Sequence, residues 1–280
     1  MPKVRVAIAG VGNVASAIVQ GVFYYADAPE DKPIPGVMHA RIGPYHISDI
    51  EFVAAFDVDA RKVGKDLSEA IFSKPNVLAK FADVPKLGVE VKKGPVLDGV
   101  APHMRDFRYG EGFLVRDDQP EADVVDELKS SGADVLVNII PVGSYEASRA
   151  YARACLEAGV GFINGIPEFI VSDEEWGRRF KEAGIPAAGD DFKSQLGATI
   201  LHRALAQLFI DRGIRLISTY QLNIGGNMDF LNMIEEERLT TKRRSKTEAV
   251  TSLFPYEVEA RIGPSDYVPH LGDTKIAYIH

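Results

Sequence analysis

The sequence is poor in cysteine, in basic charge and in long apolar segments. Its 280 residues include one cysteine, Cys155, which excludes an intramolecular disulfide or a cysteine-based zinc site and is typical of a reducing, cytoplasmic environment. The net charge of −8 leaves no broad basic surface for nucleic acid or anionic lipid. The first apolar run, residues 4–9, is too short to cross a membrane and lacks a signal-peptide cleavage pattern. We therefore expect small-molecule partners, with no nucleic acid and no membrane.

Strand and helix patterns alternate over the first two hundred residues. β-Branched apolar runs predict strands, and apolar residues at helical spacing predict the helices between them. The strands are expected at residues 3–9, 51–56, 134–140, 160–164 and 185–189, and the helices at residues 14–24, 60–71, 121–131, 145–158 and 173–183. This alternation indicates an α/β fold, a Rossmann-type doubly wound parallel sheet over residues 1–200.

Two irregular regions interrupt this pattern, and a different pattern follows it. Residues 26–49, rich in Pro, Gly and His, are interpreted as an insertion, and residues 74–119, with four prolines, as loops. Ser172 and Glu175 form a capping-box pattern before the helix at 173–183. Beyond the parallel sheet we expect a helix at residues 195–211, a strand at 214–224 and a final strand at 276–280. Residues 201–280 are therefore predicted to form a second, α+β domain.

The segment Gly10-Val11-Gly12-Asn13-Val14-Ala15 fits the dinucleotide fingerprint, with alanine in its third small-residue position. It lies between a predicted strand and a predicted helix, as the mechanism requires. Gly10 permits a tight turn, Gly12 lets the backbone approach a pyrophosphate, and N–H groups at the helix start attract the phosphates. The segment predicts a dinucleotide site.

An acidic residue at the end of the second strand bears on which dinucleotide is bound. Asp57 is placed to accept hydrogen bonds from the adenosine ribose and to repel the extra phosphate of NADP, which favours NAD. The alternative is that Asp57 only caps the next helix, a role for which Asp59 is the better candidate. Ser144, after the strand at 134–140, is similarly either a ligand contact or a helix N-cap. The predicted cofactor contacts are Gly10, Gly12, Asn13, Val14, Asp57, Asn138, Pro141, Ser144 and Asp190.

Polar clusters follow the predicted nucleotide domain, and each has a structural alternative. Two acids in GDDFKSQ could cap a helix, and NIGGNMD could be a Gly-Asn turn. Lys242 and Lys246 are four residues apart, so on a helix their ammonium groups share a face and repel each other. An anionic ligand would offset that repulsion, whereas a solvated basic face is the alternative.

Taken together, these segments resemble the myo-inositol-1-phosphate synthases, and more closely their shorter archaeal and bacterial branch. The resemblance rests on GVGN near the N-terminus, then GDDFKSQLGAT at 189–199, NIGGNMDFLN at 223–232, TKRRSK at 241–246 and GDTK at 272–275. It extends over essentially all 280 residues. Family members continue for many tens of residues beyond this point, in a segment that carries another Asp and Lys of the active site. The resemblance therefore predicts that residues 201–280 form a domain for catalysis and oligomerisation that is incomplete.

The resemblance implies conversion of glucose 6-phosphate to inositol 1-phosphate, by oxidation at C5, enolisation, closure of C6 onto C1 and re-reduction with the same NAD. It implies that Lys242 acts at the C5 oxygen, that Lys246 and Lys275 hold the phosphate or assist proton transfer, and that Asp191 and Asp229 orient lysines or the nicotinamide. Asn223 completes the catalytic set. Substrate binding is assigned to Asn227, Ser194, Gln195 and Lys193. The resemblance also implies a homotetramer and a divalent or monovalent cation, but no His pair has ligand spacing and no metal ligand is assigned.

Two other functions fit the same residues. A dehydrogenase acting on a related small substrate would use the same NAD site but accumulate NADH. A non-enzymatic family member would bind NAD without turnover.

Overall fold

The computed structural model describes residues 3–30, 32–105, 112–192, 194, 196–234 and 240–280, with the side chains of the last range described from residue 246 onward. Its contacts divide the chain into two compact units, Met1–Asp190 and Asp191–His280. The boundary lies ten residues before the one that the sequence pattern suggests.

The first unit is a doubly wound parallel α/β domain, as expected. Its strands are β1 (Val4–Ala9), β2 (Arg41–Ile42), β3 (Tyr45–His46), β4 (Ile50–Asp57), β5 (Val91–Lys93), β6 (Val135–Asn138), β7 (Gly161–Asn164) and β8 (Ala187–Ala188). Its helices are α1 (Asn13–Tyr24), α2 (Leu67–Ala70), α3 (Pro102–Arg105), α4 (Val124–Ser131), α5 (Tyr145–Ala158) and α6 (Glu174–Ala183). Six strands pair in parallel in the order β5-β4-β1-β6-β7-β8, and β2 and β3 form a separate hairpin in the insertion. The chain reverses its winding between β1 and β6, where open α/β sheets bind ligands.

Alternating residues of β1 bury both faces of this sheet. Val6 and Ile8 pack in a cluster that includes Val19 of α1, whereas Ala7 and Ala9 pack in the cluster of α5 and α6. The near-continuous apolar sequence of β1 reflects a strand that is covered on both sides.

The structure corrects three local predictions. The helix expected over residues 60–71 is confined to α2, because Gly64 has a φ of +85° and Asp66 caps a new helix start by accepting from the Ser68 N–H. Strand β5, inside the region expected to be loops, completes the edge of the sheet. The α6 cap is Asp173 rather than Ser172, since the Asp173 carboxylate accepts from the N–H groups of the first turn.

In its described residues, the second unit contains three strands and three α-helices. They are α7 (Ala198–Asp211), β9 (Ser218–Gly225), α8 (Met228–Asn232), α9 (Thr240–Thr251), β10 (Glu259–Tyr267) and β11 (Lys275–Ile279). Strand β9 is central, parallel to β10 and antiparallel to β11. Helices α7 and α9 share a core with β10 through Ala206, Val250 and Ile262. No helix in the described ranges is both long and apolar enough to cross a membrane.

Candidate functional site

The glycine turn between β1 and α1 has the geometry that a dinucleotide phosphate needs. Gly10 has a φ of +94°, and a Cβ there would lie 2.7 Å from the carbonyl oxygen of Ile139. A Cβ on Gly12 would meet no heavy atom within 4 Å, so this side of the turn is open. Gly12 is the N-cap of α1 and no side chain caps the helix. The first N–H groups of α1 are therefore available to an anion.

Asn13 and Gln20 on α1 hold the segment that follows α2. The Asn13 carbonyl accepts hydrogen bonds from the N–H groups of Val77 at 2.9 Å and Leu78 at 3.2 Å. The Gln20 carbonyl does the same for Phe81, at 2.8 Å, and for Ala82. The side-chain carbonyl of Asn13 is thus already used, so the side-chain group of Asn13 that remains for the predicted cofactor contact is its amide nitrogen. The side chain of Val14, another predicted contact, is half exposed.

Asp57 ends β4 as predicted, but it is buried and its carboxylate faces backbone donors. Its Oδ2 accepts from the Val11 N–H at 2.7 Å, and its Oδ1 from the N–H groups of Val58 and Asp59 at 2.8 Å each. The alternative that Asp57 or Asp59 caps the next helix is wrong, because Asp66 caps α2. Contact of Asp57 with a ribose stays a prediction.

A buried polar network connects the carboxyl ends of β6, β7 and β8. The Asn138 amide donates to the Asn164 carbonyl at 2.9 Å and to the Ser148 hydroxyl at 3.1 Å, and Asn164 donates to Asp190 at 2.8 Å. The Asn138 carbonyl oxygen is buried without a hydrogen-bond partner. Asp190 also accepts from the N–H groups of residues 170–172. Asn138 and Asp190, both predicted cofactor contacts, are thus joined through Asn164.

Helix α5 also begins at this edge, but its N-terminus is already occupied. The Asp98 carboxylate accepts from the N–H groups of Glu146 and Ala147, both at 2.9 Å. Ser144 occupies the N-cap position without capping, because its hydroxyl donates to the carbonyl of Pro141 at 2.6 Å. The alternative that the Ser144 side chain caps α5 is therefore wrong, although Ser144 is the residue at the N-cap position. Contacts of Ser144 and Pro141 with a cofactor stay predictions.

In the second unit, the NIGGN and GDTK segments meet although about fifty residues separate them. A Cβ on Gly226 would lie 2.5 Å from the Gly272 nitrogen, so the two chains touch through backbone. The Asn227 carbonyl caps α8 by accepting from the Asp229 N–H, and its amide donates to Asp273 at 3.0 Å. Lys275 is exposed and pairs with Gly225 across β11 and β9. Asn227 and Lys275 therefore belong to one corner of this unit.

Asn223 is nearly fully buried and ends a chain of polar side chains on β9. Gln221 donates to the Asn223 carbonyl at 3.2 Å, and Asn223 donates to the carbonyl of Gly263 at 3.1 Å. The other end of Gln221 lies 3.2 Å from Nδ1 of His202 on α7, whose Nε2 lies 2.7 Å from the Thr219 hydroxyl. The predicted role of Asn223 toward substrate is therefore coupled to His202, which the sequence reading missed.

His202 should make the stability of the second unit sensitive to acid. Burial lowers its pKa, against the opposing hydrogen bond with Gln221. In the unfolded chain the pKa of a histidine is about 6.5, so as the pH drops below this value the unfolded chain takes up a proton before the folded one. The free energy of unfolding therefore decreases as the pH is lowered, by at most about 1.4 kcal/mol per pH unit. Replacing His202 with Gln is expected to remove this contribution from urea unfolding curves measured from pH 7.5 downward. If the free energy of unfolding depends on pH in the same way in His202→Gln and in the unmodified protein, the predicted role of His202 is contradicted.

The remaining predicted residues divide by what the structure describes of them. Lys242 and Lys246 both lie in α9, the condition under which their spacing puts them on one face; Lys246 is partly buried, and the Lys242 side chain is outside the described part. Asp191 is partly buried, whereas Ser194 and Asp229 are exposed. Lys193 and Gln195 lie outside the described residues. Among the described residues, no group of three or more His, Cys, Asp or Glu side chains could hold a metal ion.

Sequence reasoning also missed Asn164, Lys62 and the Arg149–Glu168 ion pair. Asn164 ends β7 as Asn138 ends β6, and this repetition was a usable signal. Glu168 is nearly buried, 2.9 Å from the Arg149 guanidinium, and burial raises its pKa while Arg149 opposes the shift. No pattern in the sequence marks this pair.

The strand order, the reversal point and the open glycine turn define the class: a dinucleotide-binding protein with a doubly wound parallel sheet and a second sheet-containing unit. Residues 197–280 match the sequence model of myo-inositol-1-phosphate synthase. The inositol-3-phosphate synthase of Mycolicibacterium smegmatis is 54% identical over 284 residues, which cover 99% of this chain and 77% of that protein. That of Corynebacterium glutamicum is 51% identical, with the same coverage of both chains. The chain belongs to the myo-inositol-1-phosphate synthase family.

Solved structures agree with this assignment. A myo-inositol-1-phosphate synthase-related protein from Thermotoga maritima is 29% identical, with a TM-score of 0.73, over 99% of this chain and 77% of that one. The inositol-3-phosphate synthase of Caenorhabditis elegans is 16% identical, with a TM-score of 0.72, over 100% of this chain and 68% of that one. At that identity the second match supports the fold alone.

Proposed function

We propose that this protein is an inositol-3-phosphate synthase that cyclises glucose 6-phosphate to inositol phosphate with a resident NAD. The observation that carries the proposal is the 54% identity to an inositol-3-phosphate synthase along nearly the whole chain. The motifs that carry the resemblance are part of that match, and two of them meet in one corner of the second unit.

The glycine turn fits the cofactor. Gly10 tolerates its positive φ, the Gly12 face is open, and the uncapped start of α1 presents N–H groups to a pyrophosphate. When bound, NAD supplies an acceptor for a substrate hydride and returns it within the same cycle. We place further contacts at Asn13, Val14, the edge formed by Asn138, Pro141 and Ser144, and Asp190. No ligand is assigned to a cation.

The lysines supply positive charge where the reaction develops negative charge on oxygen. We assign Lys242 to the C5 oxygen, and Lys246 and Lys275 to the phosphate and to proton transfers, because an ammonium stabilises an enolate or alkoxide electrostatically. Asp191 and Asp229 orient these groups, and Ser194, Gln195, Lys193 and Asn227 bind the substrate. Asn223 is almost fully buried and hydrogen-bonded to Gln221 and to the Gly263 carbonyl, so we assign it a supporting role within β9 and β10.

The test is product identification with NADH monitored in parallel. The protein, loaded with substoichiometric NAD, is incubated with glucose 6-phosphate, and phosphorus NMR identifies the product while absorbance at a wavelength specific to NADH is followed. We expect inositol phosphate with no net NADH. Reduction of all the added NAD to NADH, with an equal amount of oxidised sugar phosphate and no further product, would support the dehydrogenase instead. NAD binding without any turnover would support the non-enzymatic alternative. Either result contradicts the proposal.

We also propose that the second unit assembles the protein into a homotetramer. One face of its sheet is apolar and exposed: Leu222 on β9 is 42% exposed, and Ile276 and Tyr278 on β11 are 51% and 58% exposed. Leu222 and Tyr278 are direct neighbours in the pairing of β9 with β11, so they form one patch. This face suits a second copy of the chain.

Replacing both Leu222 and Tyr278 with Asp is expected to convert tetramers to smaller species in multi-angle light scattering. The matched control is Met38→Asp, which adds a charge at an 82% exposed apolar residue in the insertion. Tetramers that persist in the double variant would exclude this face as the interface.

A further inference from the structure

We propose that Lys62, together with Asp57, is a positioning residue that fixes the glycine turn by holding both polar groups of Val11. The inference rests on the proposed binding of NAD at this turn. It assigns a role to a lysine that the resemblance leaves unassigned, and it changes the role expected for Asp57.

Lys62 is a lysine with only 1% of its surface exposed, and its ammonium makes two hydrogen bonds and one ion pair. Its Nζ donates to the Val11 carbonyl at 2.7 Å and to the Asn76 carbonyl at 3.0 Å, and it lies 3.6 Å from Oδ2 of Asp57. Lysine is rarely buried so completely unless it is paired. The residue is therefore committed to these three groups.

The same Oδ2 of Asp57 accepts from the Val11 N–H at 2.7 Å. The Val11 N–H thus binds the acid, and the Val11 carbonyl binds the lysine that is paired with that acid. Asn76 adds a second donor to the same carbonyl at 3.1 Å. The backbone on either side of Val11 is held by one buried ion pair and one amide.

This clamp offsets the intrinsic freedom of the turn. Val11 lies between Gly10 and Gly12, and glycine loses more conformational freedom on ordering than any other residue. A phosphate bound by backbone N–H groups gains most when these groups are fixed before the ligand arrives. No heavy atom of Lys62 or Asp57 lies within 4 Å of a Cβ placed on Gly12, so the clamp orders the turn while leaving the Gly12 face open to a phosphate.

The clamp also explains why Asp57 is poorly placed to recognise a ribose. Two N–H groups bind its Oδ1, and one N–H group with the Lys62 ammonium occupies its Oδ2. Its charge is balanced by Lys62, so it repels a 2′-phosphate less than an unpaired carboxylate would. We therefore expect Asp57 to contribute to the affinity for NAD and NADP equally.

The experiment measures the dissociation constants of NAD and NADP by isothermal titration calorimetry for Lys62→Met, Asp57→Asn and the double variant. Each single variant is expected to weaken NAD binding about tenfold or more, which corresponds to the loss of a hydrogen bond to a charged group. Each also leaves an unpaired buried group and lowers the melting temperature. The double variant removes both charges, so it should regain much of the melting temperature but none of the affinity, a separation that a purely structural role would not give.

Arg61→Met is the matched control. Arg61 is partly buried, forms an ion pair with Asp59 in the same loop and donates to the carbonyl of Gly112; neither Asp59 nor Gly112 belongs to the glycine turn. It is expected to lower the melting temperature and to leave NAD affinity within about twofold.

Three results would overturn the inference. They are unchanged NAD affinity in Lys62→Met, a gain of NADP affinity in Asp57→Asn with NAD affinity retained, and recovery of affinity along with stability in the double variant. The second result would establish Asp57 as the ribose contact. If the unmodified protein binds no NAD, the proposed function fails first, which distinguishes the two failures.

Discussion

Replacing Lys242 with Ala is expected to lower turnover of glucose 6-phosphate by about 10²–10³-fold, the range typical of losing one group that stabilises negative charge developing on oxygen. NAD affinity should stay within a few-fold, because the nucleotide turn belongs to the other compact unit. The measurement is the initial rate of inositol phosphate formation, with the NAD dissociation constant determined on the same preparation.

The reason for this large effect is the charge that develops at the substrate oxygen. Oxidation at C5 and enolisation at C6 both place negative charge on oxygen, and a fixed cation lowers the energy of those states more than that of the ground state. Lys242 and Lys246 are one turn apart in α9, an arrangement that costs stability unless an anion lies between them.

Arg244→Ala is the control for Lys242→Ala, because it removes one positive charge from the same helix at a residue outside the assigned catalytic set. It should change the rate by less than about tenfold, the limit set by a change of about 1.4 kcal/mol in the activation barrier. If Lys242→Ala keeps normal activity, Lys242 does not belong to the catalytic set. If both variants lose activity equally, the effect comes from the net charge of the helix.

The second large effect is expected from the two glycines of the nucleotide turn. The same added methyl group should lower the stability of the protein at Gly10 but not at Gly12. Gly10→Ala places a Cβ 2.7 Å from the Ile139 carbonyl oxygen at a φ of +94°, so it should destabilise the protein by roughly 2–4 kcal/mol. Gly12→Ala meets no atom within 4 Å at an extended φ of −89°, so the melting temperature should stay nearly unchanged.

Affinity for NAD separates the two glycine variants further. In the proposed binding mode the methyl group of Gly12→Ala enters the space of the pyrophosphate, so the dissociation constant should rise about tenfold or more, each tenfold being about 1.4 kcal/mol. The measurements are a thermal melt without nucleotide and an NAD titration for each variant. A Gly12→Ala protein that binds NAD normally would place the phosphates elsewhere. A fully stable Gly10→Ala protein would contradict the geometry of the turn.

The parts of the fold that the sequence predicts are those with strong periodic patterns. The buried strand β1, helix α5 and the glycine turn between β1 and α1 each combine an apolar period with a recognisable start or end. The prediction of a parallel sheet for the first domain followed from these elements. Strand β5 escaped prediction because three residues carry no period, and its place depends on pairing with β4.

The parts that the sequence does not predict depend on burial. Lys62 is indistinguishable from a solvated surface lysine until the fold encloses it with Asp57 and Asn76. The same holds for His202, whose partners Thr219 and Gln221 are on a different element. The assigned motifs were accessible because the resemblance identified them, whereas these supporting side chains carry no motif.

The capped start of α5 has a consequence for where a dinucleotide's phosphates bind at the carboxyl edge of the sheet. A helix N-terminus carries roughly half a positive charge, so a bare edge with α1 and α5 would attract a diphosphate at two places. Asp98 already satisfies the N–H groups of Glu146 and Ala147 and cancels that charge. Of these two helix starts, α1 therefore keeps the stronger attraction for an anion. We expect the phosphates of a dinucleotide to be directed to α1 by a carboxylate at α5 that need not contact the ligand.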